Sequence, residues 1–159
     1  MREIIFRAWD RFKQRWSNYK INDGTVYFMD KNTGVWYGSY NKRYKDFNLM
    51  QYTGLKDRNG KEIYEGDILL STTEYGVFLI SIGFGYSEKD NDILGAFKLK
   101  IEKQLALSQY FEDFDDNLIK LVNKYNIPIE ENNIKCINDG WWIVGNIYEN
   151  PELLGDDEE

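Results

Sequence analysis

The chain has 159 residues, 42% of them hydrophobic and 16% aromatic, a size and apolar content that fit one globular domain and argue against intrinsic disorder. One cysteine, Cys136, and no histidine exclude an internal disulfide, cysteine-rich or histidine-ligated zinc, Ser-His-Asp and Cys-His catalysis, and a histidine pH switch. The net charge of −7 is uneven: residues 1–63 carry 13 Lys/Arg against 7 Asp/Glu, and residues 64–159 carry 7 against 20. Either the halves interleave and the surface averages out, or a basic face meets nucleic acid or the acidic face of a second subunit.

The first residues, MREIIFRAWDRF, lack the apolar run of a secretory signal, and no segment reaches the roughly 20 apolar residues of a membrane helix, so a cytoplasmic location is expected. Residues 4–9 alternate Ile4, Phe6 and Ala8 against Ile5, Arg7 and Trp9, which predicts a first strand with one apolar face. In residues 10–24, Arg11, Lys13, Arg15 and Lys20 interleave with Phe12, Trp16 and Tyr19 before the turn signal Asn22-Asp23-Gly24; a loop or hairpin arm is expected.

Residues 25–29 and 35–40 are β-prone runs separated by DKNTG, where Gly34 can take the positive φ that closes a hairpin. Another strand follows at 47–53, and Asn59-Gly60 completes a turn at 57–60. Gly66-Asp67 precedes the apolar residues 68–70, a place where glycine admits a bulge and an aspartate can bind free backbone amides. Residues 77–84, VFLISIGF, read as a buried strand; at 96–103, Phe97, Leu99 and Ile101 alternate with Lys98, Lys100 and Glu102 as in a half-exposed one.

Leu118, Leu121, Val122 and Tyr125 recur at helical spacing, with Asp115 or Asp116 to cap the start and Asn126 with Pro128 to stop it. Residues 104–114 suggest a second, shorter helix; 133–137 and 141–147, joined by Asn138-Asp139-Gly140, suggest a closing hairpin; and 155–159 form an acidic tail expected to be disordered. The pattern of about eight strands and one or two helices predicts a mainly β (α+β) fold, a small, strongly bent antiparallel barrel with a helical insertion at about 104–126.

Three blocks, REIIFRAWD at 2–10, LMQYTGLKDRNGKEIYEGDI at 49–68 and VGNIYENPELL at 144–154, together resemble the YopX family of phage and prophage proteins. The resemblance implies an SH3-like β-barrel with added helical structure, one domain over 1–154, a bacterial host cell and homo-oligomeric assembly. Its motif positions, Trp9, Gly54, Gly60, Gly66, Asp67, Gly145, Asn146 and Pro151, imply architectural roles, and it carries over no catalytic residue and no cofactor.

The residues bear on three functions. A metal-dependent nuclease could act through carboxylates alone, but Asp90-Asn91-Asp92 departs from calcium-loop spacing at Leu94 and Gly95, and Glu112-Asp113 with Asp115-Asp116 suits a helix start. No phosphate-cradling glycine motif is present. Nucleic-acid or partner binding has a candidate surface in Arg7, Arg11, Lys13, Arg15, Trp16, Tyr19, Arg58 and Lys61, with Lys42, Arg43, Lys45 and Lys56 nearby in sequence; the same aromatics could equally cover a barrel mouth. Trp141-Trp142 puts two rings on opposite faces of one strand, either an anchor for self-association or a strand buried on both sides. The expectation is a non-enzymatic accessory protein that needs no cofactor, acts through protein contacts with itself or a phage or host protein, and has no membrane association; nucleic-acid binding is the runner-up.

Overall fold

The computed structural model describes residues 5–11, 14–17, 19–22, 25–29, 33–38, 47–85, 96–132 and 134–154. They divide into two compact units, residues 1–53 and 54–159. The fold is mainly β and antiparallel, with one α-helix among the described residues.

In the first unit, β1 (Phe6–Asp10) lies between β2 (Arg15–Ser17) and the start of β6 (Phe47–Lys56). Trp9 stands opposite Trp16 on one side and Asn48 on the other, and Arg7 stands opposite Met50. A three-stranded meander, β3 (Tyr19–Asn22), β4 (Thr25–Met29) and β5 (Trp36–Gly38), forms the second sheet. The expected hairpin thus forms between β4 and β5, with Gly34 at φ +68° in the loop. The Ser17 hydroxyl donates to the Met29 carbonyl at 3.0 Å and ties β2 to β4.

The second unit is built on a four-stranded sheet ordered β10-β9-β8-β13, from β8 (Asp67–Thr73), β9 (Gly76–Gly85), β10 (Ala96–Ala106) and β13 (Gly140–Asn146). Short β7 (Glu62–Tyr64) neighbours β6, and β11 (Glu130–Asn132) pairs with β12 (Ile134–Cys136). The near-continuous apolar runs of β8 and β9 are explained by burial on both faces of this sheet. Ile68, Leu70, Val77, Leu79, Trp142 and Val144 pack on the side of helix α1 (Asp116–Lys124), whereas Leu69, Ile80, Ile82 and Ile143 gather with Ile63 of β7 in a second cluster. Asp115 accepts from the Leu118 amide at 2.7 Å as the N-cap of α1; Leu118 and Val122 are its buried stripe, and Asn126, at φ +49°, follows its C-terminal turn.

Two expected elements differ. The closing hairpin does not form: residues 134–136 pair with 130–132, and β13 pairs with β8 over the register Trp142↔Leu70 and Ile143↔Leu69. A strand apolar on both faces, as WWIV is, needs cover on both, and the large sheet supplies it. The second helix shrinks to a single 3-10 turn, Phe111–Asp113, because β10 continues to Ala106 through irregularities after Ile101 and Gln104 that re-aim the strand. Residues 155–159, expected as an acidic tail, lie outside the described residues.

Candidate protein-contact surface

Along the row Ile143–Leu69–Ile80–Ile101, adjacent strands place one side chain beside the next on the same sheet face, with exposures of 9%, 0%, 5% and 66%. The neighbouring pair repeats the step: Ile82 on β9 is 4% exposed and its partner Leu99 on β10 is 54% exposed. Phe84 and Phe97 close the row edge-to-face at 5.2 Å, Phe84 itself 41% exposed. The apolar face is therefore covered on three strands and open on β10, where no strand pairs with the outer side among the described residues.

The opposite face of β10 is charged. Lys100 Nζ lies 3.0 Å from Glu102 Oε2, and Ser81 Oγ donates to Glu102 Oε1 at 2.5 Å; the Glu102 side chain is 8% exposed. Its oxygens are thus held by a hydroxyl and an ammonium, an arrangement that fixes the strand's charged side. Farther along, Lys103 and Leu105 of β10, Leu118 and Leu121 of α1, and Leu153 line a half-open cleft of about 400 Å³. Gln104, Asp115, Asn117 and Glu152 also border it, so polar and apolar groups line the cleft in similar measure.

The sequence-predicted surface residues fall in both units. Arg7 and Trp16 come together in the first unit, the guanidinium 4.4 Å from the ring centroid, and Trp9 meets Trp16 edge-to-face at 4.9 Å. Trp9 is buried and Trp16 half-buried, so these rings serve one another before any base could stack on them. Arg11 is exposed, Arg15 stands opposite Asp10, and Tyr19 opens β3. Lys13, Lys42, Arg43 and Lys45 fall outside the described residues, as do Asp90 and Asp92 of the acidic loop.

Arg58 and Lys61 stand exposed on a turn of the second unit. Asp57 organises it, accepting from Asn59 and Lys61 amides at 2.9 Å each and from the Ile143 amide at 3.2 Å. The Arg58 side chain lies along Gly140, where a Cβ would come within 2.7 Å of Cγ. Trp142 is buried and Trp141 packs on the cluster with Ile143, so neither ring is an outward anchor; Leu99 and Ile101 are the exposed apolar pair. Their alternation with lysines was visible in the sequence, but the sequence carried no sign that their face is the open one.

The motif positions cluster at backbone crossings. Gly54, Gly60 and Gly66 have φ of +85°, +78° and +79°. Gly66 donates to Ile82 O at 2.7 Å and accepts from Ile147 N at 2.8 Å, and buried Asp67 accepts from Tyr64 N at 2.8 Å. Asn146 accepts from Tyr148 N at 3.0 Å and donates to Asp67 at 3.4 Å. Gly145 lies where a Cβ would meet Asn150 Oδ1 at 2.8 Å and Leu153 Cδ1 at 2.9 Å, and Pro151 starts the 3-10 turn Pro151–Leu153.

Of the acidic group before α1, Asp113 accepts from the Ser108 hydroxyl and Asp115 caps the helix. Among the described residues no three Cys, Asp or Glu side chains are grouped to hold a metal ion, and no helix is long and apolar enough to cross a membrane.

Among solved structures, the chain is similar to protein EF1440 from Enterococcus faecalis, with 24% identity, TM-score 0.49, and coverage of 96% of this chain and 99% of that one. It is also similar to protein yopX from Bacillus subtilis, with 17% identity, TM-score 0.43, and coverage of 94% and 97%. No curated protein matches. The sequence model of the YopX protein family matches residues 5–155, and the chain belongs to that family.

Proposed function

We propose that the chain is a non-enzymatic accessory protein that works through protein contacts and associates with itself, using the open apolar face of β10. The observation that carries this reading is the exposure of Leu99 and Ile101 beside buried Ile82 and Ile80. Covering each exposed side chain contributes about 1 kcal/mol or more, and contiguous apolar patches of this kind mark interaction sites. Asp113 and Asp115 before α1 have structural partners, which supports a role without carboxylate chemistry at these two residues. The family resemblance supports a phage or prophage setting in a bacterial cytoplasm, and we read the bent, bulged four-stranded sheet as the SH3-like element.

Light scattering across a range of concentrations tests the reading. The native chain is expected to exceed its 18.9 kDa monomer mass, and Ile101→Lys to return it toward that mass. A native chain that stays monomeric at high concentration contradicts self-association.

A second reading, nucleic-acid binding, is favoured by exposed Arg11 and by Arg15 beside half-buried Trp16 on the β1–β2 pair. It requires retention of single-stranded DNA or RNA at low salt that weakens steeply as salt rises and falls with Arg11→Ala plus Arg15→Ala.

A further inference from the structure

We infer that two copies pair through β10 itself, antiparallel about a two-fold axis at Lys100, joining their four-stranded sheets edge to edge. This rests on the self-association reading and names its partner and register. Among the described residues β10 is the edge of its sheet; it is 11 residues long and presents exposed Leu99 and Ile101, the features that make an edge a pairing template.

Side chains alternate between faces, so a self-pairing that keeps apolar with apolar must centre on a residue of β10. Centred on Leu99, it sets Lys98 against Lys100 on both sides of the axis, like charges directly opposed. Centred on Ile101, it sets Leu99 against Lys103, which lies beyond the irregularity after Ile101. Centred on Lys100, it sets Leu99 against the partner's Ile101 twice and opposes Lys98 to no lysine, while Glu102, at the irregularity, stays with Ser81 and Lys100 of its own chain. The one like pair is Lys100 with its symmetry mate, and each carries its own Glu102 carboxylate 3.0 Å away.

Lysines and a bulge on an edge normally deter indiscriminate pairing. Here they discriminate among registers, rejecting those that oppose like charge or split the apolar pair. The segment Leu99-Lys100-Ile101 is thus complementary to itself read in reverse, exposed apolar against exposed apolar, with each Lys100 charge held by Glu102 of its own chain. That self-complementarity selects a second copy of this chain over a foreign strand.

Disulfide trapping in the full-length chain tests the register. In a Cys136→Ser background, Lys100→Cys, Leu99→Cys and a distant surface control, Lys120→Cys, are oxidised mildly and analysed without reductant. The pairing predicts a covalent dimer from Lys100→Cys forming about a thousandfold faster than from Lys120→Cys, since a paired interface holds thiols at effective concentrations of about millimolar against micromolar protein. Leu99→Cys is expected to track the control, because its mate is two residues off register, beyond disulfide reach. Preferential trapping by Leu99→Cys, or control-level trapping by all three in a chain that light scattering finds oligomeric, overturns the β10 register while leaving self-association standing. A chain monomeric by light scattering that also shows control-level trapping overturns both. Light scattering of each variant before oxidation separates a lost interface from a misfolded chain.

Discussion

Asn146 Nδ2 lies 3.4 Å from Asp67 Oδ1, a contact between two buried side chains 79 residues apart that joins the start of β8 to the end of β13. The other Asp67 oxygen holds the Tyr64 amide, and the Asn146 oxygen holds the Tyr148 amide, so the pair ties two turns to one sheet edge. Removing a buried acceptor strands its donors, at about 1–3 kcal/mol each. Asp67→Ala is expected to lower unfolding free energy by about 2–4 kcal/mol, and Asp67→Asn, which keeps an acceptor for Tyr64, by less. Urea denaturation measures both; equal losses would show that the acceptor is not what matters.

Asp57 gives a second test of the same logic. Its three amide partners include Ile143 in the middle of β13, so Asp57→Ala is expected to cost about 2–4 kcal/mol and to speed hydrogen exchange at Ile143. A loss below about 0.5 kcal/mol, the range of ordinary surface substitutions, would mean that water replaces the carboxylate at no penalty.

At Gly145, an added methyl group meets Asn150 and Leu153 below 3.0 Å. Gly145→Ala is therefore expected to destabilise the fold by about 1–3 kcal/mol, because the Asn150 and Leu153 side chains must give way. Thermal unfolding of the variant measures this, and an unchanged midpoint would contradict it.

The Arg7–Trp16 contact separates packing from recognition in the first unit. Trp16→Ala removes both the cation–π contact and the edge contact with Trp9, and an unfolding loss of about 2–4 kcal/mol is expected. Trp16→Phe keeps a ring and is expected to lose less. If Trp16→Ala instead left stability intact while abolishing single-strand retention, the nucleic-acid reading would gain the residue.

Local features were legible in sequence where they depended on neighbours in the chain. The Asp115 cap, the Leu118–Val122 stripe and the β4–β5 hairpin around Gly34 follow from spacing and turn chemistry. Partner choice was not legible. Trp141–Val144 has an apolar pattern that fits any strand covered on both faces, and nothing local names β8 over residues 134–136 as its mate. The same holds for the candidate surface: alternation at Phe97, Leu99 and Ile101 shows that β10 has an apolar side, but burial of that side depends on what packs against it, which only the three-dimensional arrangement decides. For Trp16 the sequence leaves stacking on a base and internal packing both open, and the structure sets Arg7 and Trp9 against its ring.

Hydrogen exchange of the native chain as a function of concentration tests most directly whether β10 is where copies meet. With pairing through β10, backbone amides in residues 98–102 on the outer side of β10 become more protected as concentration rises, while those of α1 keep their rates. Exchange in β10 that stays the same at every concentration, in a chain whose mass by light scattering does rise, would rule out pairing through β10 and move the contact elsewhere.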